Sequence, residues 1–413
     1  MTQHSATTPP VGIVPPRADG TSPTPRSADA SPGAPGAPGA PGVARLIGLD
    51  LARGLAVFGM YAAHVGPDPG EGGVTGFLME LAHGRSSALF AFLAGFAVVL
   101  ITGRGVPKTG RAGRQAVAKV VIRAVILLAV GTALTMSGTP VEVILAFYGV
   151  YFLLVLPLYR LGAAPLAAIA AGTALVLPQV LYVVRQTVLD SGVGPEGGYD
   201  GPVSLLFTGS YPALTWIPFV IAGMAVARLD LTATAVRARL ALTGAALAVV
   251  GYGGSWLAIH LVPGAYAAIG ASTWGGDPGD LWWSDTGGYP WGSAHTLLVA
   301  SPHSETTLSI VANTGVAIAV VAGCLSAMDA FPRLGRLARP VVAVGSMSLT
   351  AYVFHIVGIQ LLGIEELPGS PLHVLLGFIA AVMVFATVWS RFASRGPLEW
   401  LMAKATGVAR HVR

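Results

Sequence analysis

Ten apolar runs, each near the ~20 residues that carry a helix across a bilayer, follow one another along this chain. They fall at about 46–65, 86–102, 117–136, 141–158, 162–184, 212–228, 239–262, 305–327, 341–362 and 372–391. The expected fold class is all-α: a polytopic helical membrane protein with about ten transmembrane helices. Charge content agrees. Asp, Glu, Lys and Arg make up 10% of the 413 residues, against roughly a quarter in ordinary soluble domains. A soluble globular protein is excluded.

The basic residues orient the chain. With a cytoplasmic N-terminus and ten alternating spans, 21 of the 24 Lys and Arg fall in cytoplasmic segments or toward the cytoplasmic ends of the spans. Only Arg85 and Arg185 fall outside, and Arg53 lies within a span. The acidic residues do the reverse, 13 of 19 falling on the outer side. This positive-inside pattern puts both termini in the cytoplasm of a multi-pass cell-membrane protein. It also explains the net charge of +5 without a nucleic-acid partner. Cys324 is the only cysteine, so there is no intramolecular disulfide and no thiolate zinc site. The loop histidines His295 and His303 lack a metal-ligand spacing, and no metal is expected.

Three segments follow. Residues 1–44 are rich in Pro, Gly, Ala, Ser and Thr, too poor in apolar groups to fold, and read as a disordered cytoplasmic tail. Residues 45–395 read as one membrane domain, and 396–413 as a short basic cytoplasmic tail. Two outer loops are long, about 185–211 and 263–304. The second holds Trp274, Trp282, Trp283 and Trp291 with Asp277, Asp280 and Asp285. Its indole rings suit either an interfacial anchor or a platform on which a sugar face stacks. The midspan glycines Gly95, Gly149, Gly223 and Gly315 fit close helix packing.

Ionisable groups inside a span are costly and are read first as functional. The first span, LDLARGLAVFGMYAAH (Leu49 to His64), carries three. Asp50, Arg53 and His64 share one helical face with Val57 and Met60, and His64 stands about 16 Å above Arg53 at ~1.5 Å per residue. Asp50 and Arg53 are also spaced to pair with each other. Other polar groups gather in the outer half: Arg85, Glu142, Tyr148, His260 and His355. If their faces converge, they line an outward-opening pocket that His64 faces. On the cytoplasmic side Arg104, Lys108, Arg111, Arg114, Lys119 and Arg123 form a basic cluster. It suits topology and anionic lipid, or the docking of an anionic donor.

The spacing of Arg53 and His64 resembles the first-span signature of the acyltransferase-3 membrane proteins, and its setting is similar to the matching helix of the heparan-α-glucosaminide N-acetyltransferase-like proteins. HGRSSALFAFLAG (His83 to Gly95), GSMSLTAYVFHI (Gly345 to Ile356) and RGPLEWL (Arg395 to Leu401) resemble the YeiB-type bacterial membrane family. Arg53 and His64 match the acyltransferase-3 pair, and His355 sits where that group often has a late histidine after a Tyr-rich run.

What the resemblance implies is acyl transfer from acetyl-CoA or another acyl-CoA. The donor phosphates would favour the basic face near Arg53, Arg114 and Lys119, and the pantetheine arm would run up the Asp50–Arg53–His64 stripe. His64 would act as general base or acyl carrier. Arg85, Tyr148 or His355 would stabilise the oxyanion, with His260 and Glu142 on the acceptor side. The acceptor would be an envelope glycan, a lipid-linked sugar or a metabolite. The competing class is a transporter or flippase without catalysis, which ten spans and a polar pocket also suit.

Overall fold

The computed structural model describes residues 47–190, 201–272, 277–284 and 293–413. The expected tail 1–44 and the loop residues Trp274, Asp285 and Trp291 lie outside the described residues. Among these residues every regular element is helical. The chain runs through α1 (Ile47–Val65), the short α2 (Gly73–Ala82), α3 (Arg85–Thr102), α4 (Gly110–Met136), α5 (Leu145–Val155) and α6 (Ala163–Asp190). It continues with α7 (Ala213–Ala227), α8 (Thr234–Ala248), α9 (Gly254–Leu261), α10 (Ala265–Gly270) and α11 (Thr307–Ala330). Then come α12 (Pro332–Leu337), α13 (Arg339–Ser346), α14 (Ser348–Leu361), α15 (Leu372–Trp389) and α16 (Pro397–Thr406).

Each of the ten apolar runs lies on a helix. Among the described residues six stretches are long and apolar enough to cross a membrane: α2 with α3, α4, α6, α8 with α9, α11 and α15. The bent pair α13–α14 adds a seventh if counted as one span. α5, extended by a 3-10 turn to Arg160, and α7 are apolar but shorter. The chain is thus a multi-pass membrane protein.

Burial separates centre from rim. The α2–α3 stretch and α11 are 67% and 61% buried, whereas α4, α6, α8–α9 and α15 are each 22% buried. The rim helices turn Leu242, Val249, Leu175 and Val384 outward, the apolar surface a bilayer solvates. In lipid, helices gain little from burying one apolar face against another, so close backbone approach through small residues has to contribute. Glycines supply it here. A Cβ at Gly223 of α7 would overlap the carbonyl of Phe92 on α3, and one at Gly95 of α3 would overlap Val220 of α7. Gly244 and Gly315 do the same for α8 against α11, and Gly149 seats α5 on α4. At the α1–α13 crossing, Gly345 meets the backbone oxygen of Asp50, and Gly54 meets Val341.

Two irregularities bear on function. α13 and α14 meet at an 88° bend centred on Met347, whose φ of −128° and ψ of 42° are not helical. A π-helical turn, Val249–Gly253, joins α8 to α9 and turns Tyr252 toward α3 and α11. Such breaks in a membrane helix free backbone groups that must find partners elsewhere.

Candidate functional site

α1 and α14 bring two histidines together. His64 Nδ1 lies 2.9 Å from His355 Nε2, and the ring planes differ by 7°. His355 is fully buried, while His64 keeps partial exposure. One proton is shared along this contact, and its donor is set by the tautomers. The contact engages Nδ1 of His64, so Nε2 is the ring atom turned away from His355.

Tyrosines frame the pair. The Tyr61 ring lies 4.7 Å from that of His355, and Tyr61 donates its hydroxyl proton to Ala351 O at 2.7 Å. Tyr352 meets His355 edge-on at 5.0 Å, and its hydroxyl accepts from Ile144 N at the head of α5. Each histidine is thus preceded by a tyrosine three residues earlier, Tyr61–His64 and Tyr352–His355, one helical step away on the same face. This repeated Tyr-x-x-His spacing was readable in the sequence as a sign that the two helices face each other.

Below the pair lies a narrow chamber lined by Arg53, Arg123, Phe90, Tyr148, Phe152 and Ser348. Arg53 is held by Asp50 at 2.8 Å, the pairing that their spacing allowed. Tyr148 is buried, and its hydroxyl has no hydrogen-bond partner among the described residues. Arg123, which the sequence offered only as one of a basic cluster, lines the chamber. Lys119 stands one turn before it, on the same side of α4. Arg114 does not reach the chamber. It is exposed, donates to Arg413 O at 2.7 Å and lines a separate groove with Tyr159 and Arg160.

The loop ahead of α11 approaches α7. The His303 ring packs on Trp216 and Tyr211, and both His83 and His303 lie within electrostatic reach of His64. His303 and Glu305 hold φ values of 55° and 58°, a left-handed backbone that costs about 1–3 kcal/mol at a residue other than glycine. Side-chain contacts hold the loop there. Glu305 accepts from Arg185 at 3.0 Å and from Thr215 Oγ1 at 3.2 Å.

Glu305 lies outside the spanning helices, and burial pushes its carboxyl up to about 8 against the opposing pull of Arg185. A carboxyl raised on folding binds its proton more tightly in the native state. The stability this contributes is present below the ordinary carboxylate value and is lost as pH rises through about 8. Thermal midpoints in detergent are therefore expected to fall between about pH 5 and about pH 9. Glu305→Gln should flatten that fall, and an unchanged slope would exclude Glu305 as its source.

The remaining sequence candidates divide. Arg85 is buried and engaged at four N–H donors: its guanidinium donates to Tyr252 Oη, Glu80 O, His83 O and Trp283 O. Tyr252 passes the contact on to Asn313 Oδ1 at 3.0 Å. Arg85 therefore ties the loop of Trp283 to α3, with four of its five N–H donors meeting protein oxygens. His260 is exposed, stacked on Trp256 and bonded to Trp256 O, and Glu142 is exposed on the turn before α5. The structure does not bring these two to the histidine pair. Of these candidates His64 and His355 meet directly, Tyr148 lines the chamber with Arg53, His260 is exposed on α9, and Glu142 is exposed on its turn within electrostatic reach of Tyr352. Among the described residues no group of three His, Cys, Asp or Glu side chains is arranged to hold a metal ion.

Comparison with known families fits this geometry. The family described as heparan-alpha-glucosaminide N-acetyltransferase, catalytic, matches residues 45–263, and a family described as a protein of unknown function (DUF418) matches residues 288–409. No curated protein matches the chain. His64 and the chamber arginines lie in the first matched segment, and His355 lies in the second. With more than half of its length matched by that first model, the chain belongs to the heparan-α-glucosaminide N-acetyltransferase catalytic family, and its C-terminal part is similar to the DUF418, YeiB-like family.

Proposed function

We propose that the protein is a membrane acyltransferase that moves an acyl group, most simply acetyl, from a cytoplasmic acyl-CoA to an outer-side hydroxyl or amine. The acceptor class is an envelope glycan, a lipid-linked sugar or a metabolite. In this reading ten spans cross the cell membrane and both termini are cytoplasmic. The observation that carries it is the buried His64–His355 contact above a chamber lined by two arginines. The family match supports acetyl as the group transferred.

The residues suit this chemistry. Arg53 and Arg123, with Lys119 toward the cytoplasm, offer positive charge to a phosphorylated donor, and Phe90, Leu93 and Phe152 offer apolar wall to its thin arm. His355 fixes the orientation of His64, so that Nε2 faces the reacting groups. In direct transfer Nε2 takes the proton of the acceptor hydroxyl, whose oxygen attacks the thioester carbonyl. The C–S bond then breaks, and the departing sulfur takes the proton back from the imidazole. In the two-step variant Nε2 itself forms the bond to the acyl carbon as the C–S bond breaks and CoA leaves as its thiolate; the acceptor oxygen then displaces the imidazole from the acyl carbon, and the acceptor proton goes to the thiolate. The Tyr148 hydroxyl, which has no partner among the described residues, would be the donor for the oxyanion in this reading.

The test is release of free thiol. Protein in liposomes with labelled acetyl-CoA and envelope lipid extract should liberate CoA and place label on an extractable acceptor. Arg123→Ala should raise the donor KM about tenfold, the loss of roughly 1.4 kcal/mol of binding, while an unchanged KM would remove Arg123 from the donor site. A second reading, transport of a small amphiphile, is favoured by the 88° break and the π-helical turn, since discontinuous helices are common at transport sites. A transporter would move label without covalent change and release no CoA.

A further inference from the structure

We propose that Glu399 is the positioning residue of this site: from α16 it caps the N-terminus of α14 and so fixes where His355 stands against His64. The inference rests on reading that histidine pair as the reactive centre.

The argument starts from the break at Met347. A helix beginning inside a membrane protein leaves its first N–H groups without intrahelical partners. The residue at the cap position, Met347, has no side-chain acceptor to offer. Glu399 supplies one from 50 residues away in sequence. Its Oε1 accepts from Leu349 N at 2.8 Å and Thr350 N at 3.2 Å, and its Oε2 accepts from Thr350 Oγ1 at 2.6 Å. Thr350 Oγ1 in turn accepts from Leu398 N at 3.1 Å, which closes a reciprocal clasp between the two helices. The positive end of the α14 dipole favours a carboxylate at this point. Gly396, just ahead of α16, makes the approach possible, because a Cβ there would collide with Glu399 Oε2 and Met347.

The clasp matters because α14 is not carried by α13. α13 is seated on α1 through Gly345 and Gly54, but across the 88° bend at Met347 the direction of α14 is set by its own contacts, of which Tyr61 and Tyr352 hold its middle and the Glu399 clasp holds its start. His355 lies about 12 Å along α14 from that bend. A swing of about 5° therefore moves the imidazole by about 1 Å, and a misplacement of that size costs about a hundredfold in rate. Glu399 touches neither histidine and reaches them through the helix it caps, while its carboxylate also lies within electrostatic reach of Arg123.

The experiment uses the full chain in nanodiscs with ¹⁵N-labelled histidine. The signals of the His64–His355 contact are assigned by their loss in His64→Gln and His355→Gln. Glu399→Ala should shift both signals away from their hydrogen-bonded positions and lower kcat for thiol release by about 30- to 100-fold, with donor KM within about twofold. Glu399→Gln, which keeps one acceptor oxygen at the helix end, should recover most of both. Unchanged histidine signals in a folded Glu399→Ala protein would overturn the proposal. Should that variant not fold, Thr350→Val removes only the hydroxyl arm of the clasp. It should shift the same signals by less, and no shift would again overturn the proposal. If the wild type releases no CoA, acyl transfer fails as a reading, and the histidine signals alone still decide whether Glu399 holds the pair.

Discussion

His64→Ala lowers kcat for thiol release by about a thousandfold and leaves the donor KM near its wild-type value. A positioned general base contributes about 10²–10⁴ in rate, and a thousandfold is roughly 4 kcal/mol of barrier. The donor KM holds because the groups lining the chamber, Arg53 and Arg123, stand apart from His64. His355→Gln should cost less, since it removes the partner that orients His64 and not the reacting nitrogen. His260→Ala should leave the rate unchanged, as that ring is exposed and stacked on Trp256. Full thiol release in a folded His64→Ala protein would end the assignment of His64 as base or acyl carrier.

Gly223→Val destabilises the protein by about 3 kcal/mol or more, read as a fall in the thermal midpoint of the purified chain in detergent. The reason is geometric. α3 and α7 cross with backbone against backbone, and a side chain at Gly223 has only the Phe92 carbonyl to push against. Neither helix can yield cheaply, because Gly95 places Val220 and Met224 of α7 against α3 at the same crossing. Gly172→Ala is the contrast. Its Cβ meets nothing within 4 Å on the rim helix α6, so the change should be neutral or stabilise slightly, as glycine is about 0.5–1 kcal/mol poorer than alanine inside a helix. Equal midpoints for the two variants would mean that the crossing adds nothing to stability.

Much of the helix pattern was legible because a bilayer enforces it. Long apolar runs have few alternatives, and all ten lie on helices. The close packing at Gly95, Gly149, Gly223 and Gly315 was legible for the same reason: glycines inside an apolar run are costly unless a neighbour uses the space. The site was legible only in part. Asp50, Arg53 and His64 share a helix, and spacing alone fixes their relation. His355 was a candidate by depth, yet its contact with His64 spans 291 residues, and depth does not say which way a helix faces. That is why His260 and Glu142, at a similar level, are exposed instead. The partners of Arg85 were not legible, because its carbonyl acceptors are backbone atoms brought to it by the fold. Glu399 stood in a quoted stretch, RGPLEWL, but its role depends on a helix break that no apolar run announces.

The 291 residues between His64 and His355 also set a timetable. A chain made from its N-terminus places α1 in the membrane early, and His64 then has no partner ring until α14 has been synthesised. The clasp on α14 comes later still, because Glu399 lies close to the C-terminus. Nascent or truncated chains therefore lack the paired centre, and a reactive imidazole is not assembled before the bundle that shields it.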